Sequence, residues 1–263
     1  MSVLQAIEGN VGRVGNVGRI TLNRPDRMNA IDVALATNLA HALGELGRDP
    51  AVNVIVIAGS GGNFCAGGDF DEVQRLRAEG ASALRTLFAA FRAACDAIAA
   101  AQVPVIVAVE GVAAAGGFEL MQAADIVLVS DDARIADNHV KFSMVPGGGS
   151  TARLPRIVGR QQALGLLLSG DRISGVDAVR LGLAYRSYPQ HQFEAGVHQF
   201  ARQLASRSRA AVTTIKRLVN SSQQGTLSDA LDAEMDAVVR HICNGPGGDG
   251  IEQFRTRDQG ARA

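Results

Sequence analysis

Apolar and polar positions alternate in VLQAIE (3–8) and again in VGRITLN (17–23), on either side of a Gly/Asn-rich connection. A period of two predicts a pair of antiparallel strands. GNVGRV at 9–14 recurs as GNVGRI at 15–20, which reads as a turn rather than a repeat architecture. NRPDRMNAID (23–32) is turn-rich and ends on Asp32, an N-cap for the amphipathic stretch VALATNLAHALGEL. VNVIVIAGS (52–60) is a continuous β-branched run, the signature of a central strand covered on both faces. A helical stretch, SALRTLFAAFRAACDAIAAA, precedes VPVIVAVEG, a small-residue loop, the helix FELMQAA and the strand DIVLVS. Strand, glycine loop and helix therefore occur twice.

Beyond residue 160 the pattern is helical: QQALGLLLSG, GVDAVRLGLA, FEAGVHQFARQLASRS, AAVTTIKRLVNSS and LSDALDAEMDAVVRHIC. The last three carry enough apolar residues on one side to need a partner surface. This places an α/β core over residues 1–200 and a helical region over 201–263, expected to serve oligomerisation.

Composition narrows the classes. Hydrophobic residues make up 47% and charged residues 20%, and no apolar run is long enough to span a bilayer. Lys+Arg and Asp+Glu balance at 26 each, so no general attraction to nucleic acid or anionic lipid is expected. Lys141 and Lys216 are the two lysines, which leaves arginine to meet any phosphate on a ligand. Cys65, Cys95 and Cys243 form no C-x-x-C pair, and a reducing, cytoplasmic setting is expected. MSVLQAIEGN lacks the features of a signal or transit peptide.

AGSGGNFCAGGDF follows a buried strand, yet it fails the dinucleotide fingerprint, because Phe64 stands where the third glycine belongs. The P-loop pattern fails too, for want of Gly-Lys-Ser/Thr. What remains is two small-residue loops, FCAGGDF and GVAAAGGFEL, each placed after a strand. Their glycines either just turn the chain or bring backbone amides up to a ligand oxygen. Gly116 would open the helix GFELMQAA and add its positive dipole end. Glu119, in that helix's first turn, is read either as a complement to the dipole or as a general base among apolar neighbours. His41, His191, His198 and His241 show no ligand spacing, so no metal is expected. Ser150 reads as an N-cap and Cys65 as a small buried residue.

RITLNRPDRMNAID, FCAGGDFDE, GVAAAGGFEL and VPGGGSTARLPRIVG, in this order, resemble characteristic stretches of the enoyl-CoA hydratase/isomerase (crotonase) superfamily. The similarity runs through KRLVN (216–220) and the closing helices. It implies a crotonase-like spiral of ββα units with a C-terminal helical trimerisation region, assembled as a homotrimer or a hexamer of two trimers. It also implies an acyl-CoA thioester substrate, with coenzyme A arriving as part of the substrate and no separate cofactor.

Carried over by motif, the oxyanion amides are those of Gly68 and Gly116. Ala66, Gly67, Phe70 and Ala115 border the thioester, and Asp69 matches an acid with a structural role. Arg27, with Arg24, is expected near the nucleotide of CoA. The first catalytic glutamate of the hydratases matches Glu119. The second, seven residues before Pro146, falls on His139, so this chain has Asn138-His139 where the family pattern has Pro-Glu.

His139 is thus either a partner acid to Glu119 or a residue that shapes the acyl pocket, with Asp137 two residues back on a strand face able to orient it. The resemblance implies a hydro-lyase using Glu119 and His139. The alternatives are enoyl isomerisation, C–C cleavage of a β-oxo or β-hydroxy acyl-CoA, or acyl-CoA binding without catalysis. Restoring a carboxylate with His139→Glu is expected to raise hydratase activity.

Overall fold

A computed structural model describes residues 1–8 and 15–260; the duplicated GNVGRV at 9–14 lies outside these. Strand β1 (Val3–Glu8) pairs antiparallel with β2 (Asn16–Leu22), Val3 opposite Leu22 and Glu8 opposite Val17. Asp32 then caps α1 (Val33–Arg48), its side chain accepting from the Leu35 N–H at 2.6 Å. Strand β3 (Val52–Gly59) runs parallel to β2, with Ile20 opposite Ile57.

α2 (Phe70–Glu79) and α3 (Ala81–Ala100) follow, then β4 (Val105–Val109) parallel to β3. Next come β5 (Val112–Ala114), α4 (Gly116–Met121), β6 (Ile126–Ser130) and β7 (Arg134–Ala136). α5 (Ser150–Ser169), α6 (Gly175–Arg180) and β8 (Arg186–Tyr188) complete the sheet layer. The main sheet has the order β1-β2-β3-β4-β6-β8, and β5 and β7 form a separate parallel pair.

The continuous apolar run of β3 is explained by its two covered faces. Ile55 and Ile57 point to the side packed by Leu35, Leu39 and Leu43 of α1. Val54 and Val56 point the other way, onto Phe193, Val197 and Ala201 of α7 (Gln190–Ala205). Burying each such side chain contributes roughly 1.5–3 kcal/mol, and both faces of the strand collect it. Residue 200 falls inside α7, and the helix stays on the sheet to Ala205.

α8 (Arg209–Ser222), α9 (Leu227–Asn244) and α10 (Gly247–Gly260) differ: α8 buries no residue and α9 buries Ala237. α8 is fastened to the core by Lys216, whose ammonium meets the Asp125 carboxylate at 2.7 Å and donates to the carbonyls of Ile98 and Val103. Among the described residues no helix is long and apolar enough to cross a membrane.

One helix has no counterpart in the sequence pattern, and one local expectation changes. The chain after AGGD enters α2, whose mostly polar sequence buries Leu76 and so gives little hydrophobic period to read. HVKFSM is not a strand: β7 ends at Ala136, and His139–Phe142 form a 3-10 turn closed by Ser143 at φ 56. β5, the partner of β7, ends at Ala114, so nothing remains for an extended 139–144 segment to pair with.

Candidate active site

The two glycine loops are laced together by backbone hydrogen bonds. The Cys65 N–H donates to the Val112 carbonyl at 2.9 Å, and the Ala114 N–H donates to the Cys65 carbonyl at 3.0 Å. Ile31 adds a third strand-like contact, its N–H donating to the Gly67 carbonyl and its carbonyl accepting from Asp69. Neither the Gly68 N–H nor the Gly116 N–H is consumed by this lacing or by any other bond among the described residues. Gly116 is the first residue of α4, where helix amides have no internal acceptor.

Close packing sets the spacing of these amides. Gly67 sits at φ +112, and a Cβ there would lie 2.9 Å from the Ala115 Cβ and 3.3 Å from the Gly116 nitrogen. A Cβ on Gly117 would fall 2.1 Å from the Cys65 carbonyl oxygen. Ala115 itself holds φ 47, ψ −115, a conformation that L-residues rarely adopt and that neighbouring structure must enforce. Gly68 and Gly116 both line one cavity, and unpaired backbone amides, one of them at a helix N-terminus, are donors of the kind that stabilise an anion.

Glu119 is 2% exposed. Its Oε1 accepts from the Gly148 N–H at 2.7 Å, in the turn before α5, and from the Ser150 N–H at 3.2 Å, at the first residue of that helix. Burial pushes its carboxyl above the ordinary 4.5, opposed by the Ser150 amide, His139 and the Gly148 amide. Its Oε2 faces His139 Nε2 at 3.9 Å. On the far side of the ring, His139 Nδ1 lies 2.6 Å from Oδ1 of Asp137, which is 1% exposed. Burial of the imidazole favours its neutral form, but the Asp137 hydrogen bond and charge, followed by Glu119, outweigh it and raise the pKa above 6.5. Asp137 thus orients His139 as expected, through a turn rather than along a strand face.

These groups share a cavity of about 110 Å³, together with Ala66, Gly68, Phe70, Ala115 and Gly116. Gly67 stands directly behind the amide pair. Asp69 has a structural contact set: it caps α2 by accepting from Asp71 and Glu72, and it pairs with Arg24 at 2.8 Å. Burial opposes the charge on Asp69, yet Arg24 and the cap amides hold its carboxyl below the usual range. Arg24 also reaches Asp32 at 3.3 Å, so its guanidinium is occupied within the turn. Arg27 is exposed, pairs with Asp71 at 2.8 Å and lies outside the cavity lining.

Ser150 is not the N-cap of α5; Gly149 is, at φ +125, and Ser150 follows as the first helical residue. Its amide serves Glu119 while its hydroxyl accepts from Gln122 at 2.9 Å. Cys65 is fully buried with its thiol pushed up to about 12, which makes it inert. No cluster of His, Cys, Asp and Glu able to hold a metal is found among the described residues.

Sequence reading missed the apolar walls, notably Phe88 and Phe91 of α3 and Met144 and Val145 after the 3-10 turn. The i, i+3 spacing of the two phenylalanines was the available signal, since such residues share a helix face. The Glu119 clamp was missed because it consists of backbone. The assembled cavity brings two unpaired backbone amides together with a buried carboxylate and an imidazole. The 3.9 Å between Oε2 and Nε2 is longer than a direct hydrogen bond and short enough for one water to bridge.

Comparison with known proteins agrees with this geometry. The family model described as enoyl-CoA hydratase/isomerase matches residues 12–258. A mitochondrial enoyl-CoA hydratase of Pongo abelii is 34% identical over 223 residues, covering 85% of this chain and 75% of the relative. The 1,2-epoxyphenylacetyl-CoA isomerase of Escherichia coli K12 is 32% identical over 218 residues, with 82% and 83% covered. The crystal structure of an enoyl-CoA hydratase from Polaromonas sp. JS666 superposes with a TM-score of 0.90 at 30% identity, covering 96% and 97% of the two chains. The six-stranded sheet with its glycine-loop amides is therefore the crotonase fold, and the chain belongs to the enoyl-CoA hydratase/isomerase family.

Proposed function

We propose that the protein adds water across the double bond of a short 2-enoyl-CoA thioester. The observation that carries this reading is the buried Glu119–His139 pair, 3.9 Å apart and lining one cavity with Gly68 and Gly116. The thioester oxygen sits between the Gly68 and Gly116 amides. As water attacks the β carbon, negative charge moves onto that oxygen, and each amide is worth about 3 kcal/mol of barrier stabilisation.

Glu119 Oε2 takes a proton from the attacking water, and His139 gives its Nε2 proton to the α carbon. The carboxylate form of Glu119 is supported by the Gly148 and Ser150 amides, and the imidazolium by Asp137. After the reaction the proton sits on Glu119 and the imidazole is neutral. Transfer through a water between Oε2 and Nε2 restores the starting state without an outside acid or base.

This reading requires no cofactor beyond the CoA of the substrate. A cytoplasmic setting is supported by three free cysteines. Assembly into a homotrimer or hexamer is supported by Leu231, Met235, Val238 and Ile242 on α9, an apolar row left exposed among the described residues.

The test is loss of enoyl absorbance from crotonyl-CoA at neutral pH, with mass analysis of the product. The expected product has gained one water, and Glu119→Gln lowers kcat by about 10²- to 10⁴-fold with the fold retained. A rearranged or shortened acyl product would replace hydration with isomerisation or C–C cleavage. Binding without product, unchanged in Glu119→Gln, would make the protein a non-catalytic acyl-CoA binder.

A further inference from the structure

Asn138 is the one polar side chain of the cavity lining that neither acid–base chemistry nor a structural contact uses. It stands as N-cap of the 3-10 turn at φ −100, ψ 12, a position where asparagine ordinarily caps with its side chain, yet it makes no such bond. Its backbone carbonyl accepts from Lys141, while its side-chain Oδ1 is buried without a hydrogen-bond partner among the described residues. Around it the cavity is apolar, with Phe88, Phe91, Phe142 and Met144 in the walls. Asn138 is half-buried, and an amide oxygen buried in such surroundings costs free energy until something pairs with it.

We propose that Asn138 is a specificity-determining residue that selects acyl-CoA thioesters bearing a hydroxyl on the acyl chain, close to the reacting carbons. This rests on the reading of the cavity as the acyl end of a CoA-thioester site. A hydroxyl both donates and accepts, so it pairs with either end of the amide, whereas a methylene pairs with neither. Location follows from the chain. Asn138 precedes His139, whose Nε2 faces the reacting carbons, and adjacent Cα atoms are about 3.8 Å apart. The test therefore places the hydroxyl on carbon 4 or 5 of the acyl group, next to the carbons that react.

Size agrees with a short chain: about 110 Å³ is well below the roughly 300 Å³ at which whole-ligand pockets usually begin. Proline, the family residue at this position, brings no hydrogen-bonding side chain. It also fixes φ near −65°, away from the −100° seen at Asn138. The exchange therefore alters both the polarity of the wall and the path of the turn.

Saturated thioesters separate this preference from turnover. Calorimetric titration of the full chain compares butyryl-CoA with 4-hydroxybutyryl-CoA, and pentanoyl-CoA with 5-hydroxypentanoyl-CoA. At least one hydroxylated member is expected to bind about 3- to 10-fold more tightly than its parent, the worth of one neutral hydrogen bond. Asn138→Leu and Asn138→Ala are expected to bring that ratio to one; because it is a ratio, a general loss of affinity cancels.

Equal affinity within both wild-type pairs overturns the proposal, because Asn138 is then met by water alone. A preference that survives in both variants overturns it too, by placing recognition elsewhere. Retained preference with no hydration of crotonyl-CoA breaks the hydratase reading only, and no binding of any CoA thioester breaks both.

Discussion

One part of the cavity wall is backbone: the Gly68 and Gly116 amides on two loops laced through Cys65, Val112 and Ala114. Another part is side chain: Glu119 clamped by the turn before α5, and His139 clamped by Asp137. Behind the backbone wall, Gly67 and Gly117 have no room for a Cβ. The side-chain wall accepts a histidine where the family pattern has a glutamate, because a neighbouring carboxylate supplies what the ring needs. Chemistry borrowed from the main chain is fixed by sterics, and chemistry borne by side chains can be rewritten locally if charge is rebalanced.

The largest effect that separates the two walls is expected from Gly67→Ala. The new methyl meets Ala115 at 2.9 Å in a backbone at φ +112 and spreads the two amides. Turnover of crotonyl-CoA is expected to fall about 10²- to 10³-fold, the size of losing one oxyanion donor. A loss of less than tenfold would mean that the amide pair is not held by this contact.

The second prediction reverses the simple family analogy. His139→Glu would set a third carboxylate beside the buried Asp137 and Glu119, and mutual repulsion forces one of them to keep a proton. The single variant is therefore expected to lose about 10- to 100-fold in kcat/KM. Adding Asp137→Ala is expected to restore about tenfold or more, by leaving the family's two acids. A single variant faster than wild type would show that Asp137 does not set the charge of this wall.

Asp137→Asn gives the smallest change in rate, about tenfold in kcat, with its clearest signature in the pH profile. In the proposed reaction His139 starts protonated, so kcat/KM is expected to be lost as pH rises through a value above 6.5. Glu119 must be free of one, so kcat/KM is also lost as pH falls through a value above 4.5. Removing the Asp137 charge shifts the alkaline limb to lower pH and leaves the acid limb nearly in place. An unmoved alkaline limb would assign that ionisation to another group.

Much of this arrangement was legible in the chain. The β-branched run of β3, the cap at Asp32, both glycine loops and Glu119 in the first turn of α4 are local features, and the structure keeps them all. The position of His139 was found by its spacing to Pro146. Its conformation was not, because HVKFSM alternates like a strand, and only the end of β5 at Ala114 denies it a pairing edge. α2 was missed because a polar helix with one buried leucine carries almost no period. The pairing of Arg24 was not legible either, because two carboxylates, Asp32 and Asp69, converge on it from positions 8 and 45 residues away.

By itself the sequence determined where strands end in small-residue loops and which side chains carry protons, since both follow from local pattern and residue type. Tertiary structure decided which of those groups meet. The Gly148 amide reaches Glu119 across 29 residues and Lys216 reaches the Val103 carbonyl across 113, and no periodicity encodes such distances. The same packing turned Asp137 from a strand neighbour into the partner that raises the proton affinity of His139, because a buried ring gains a proton more readily where a fixed carboxylate offsets its lost hydration.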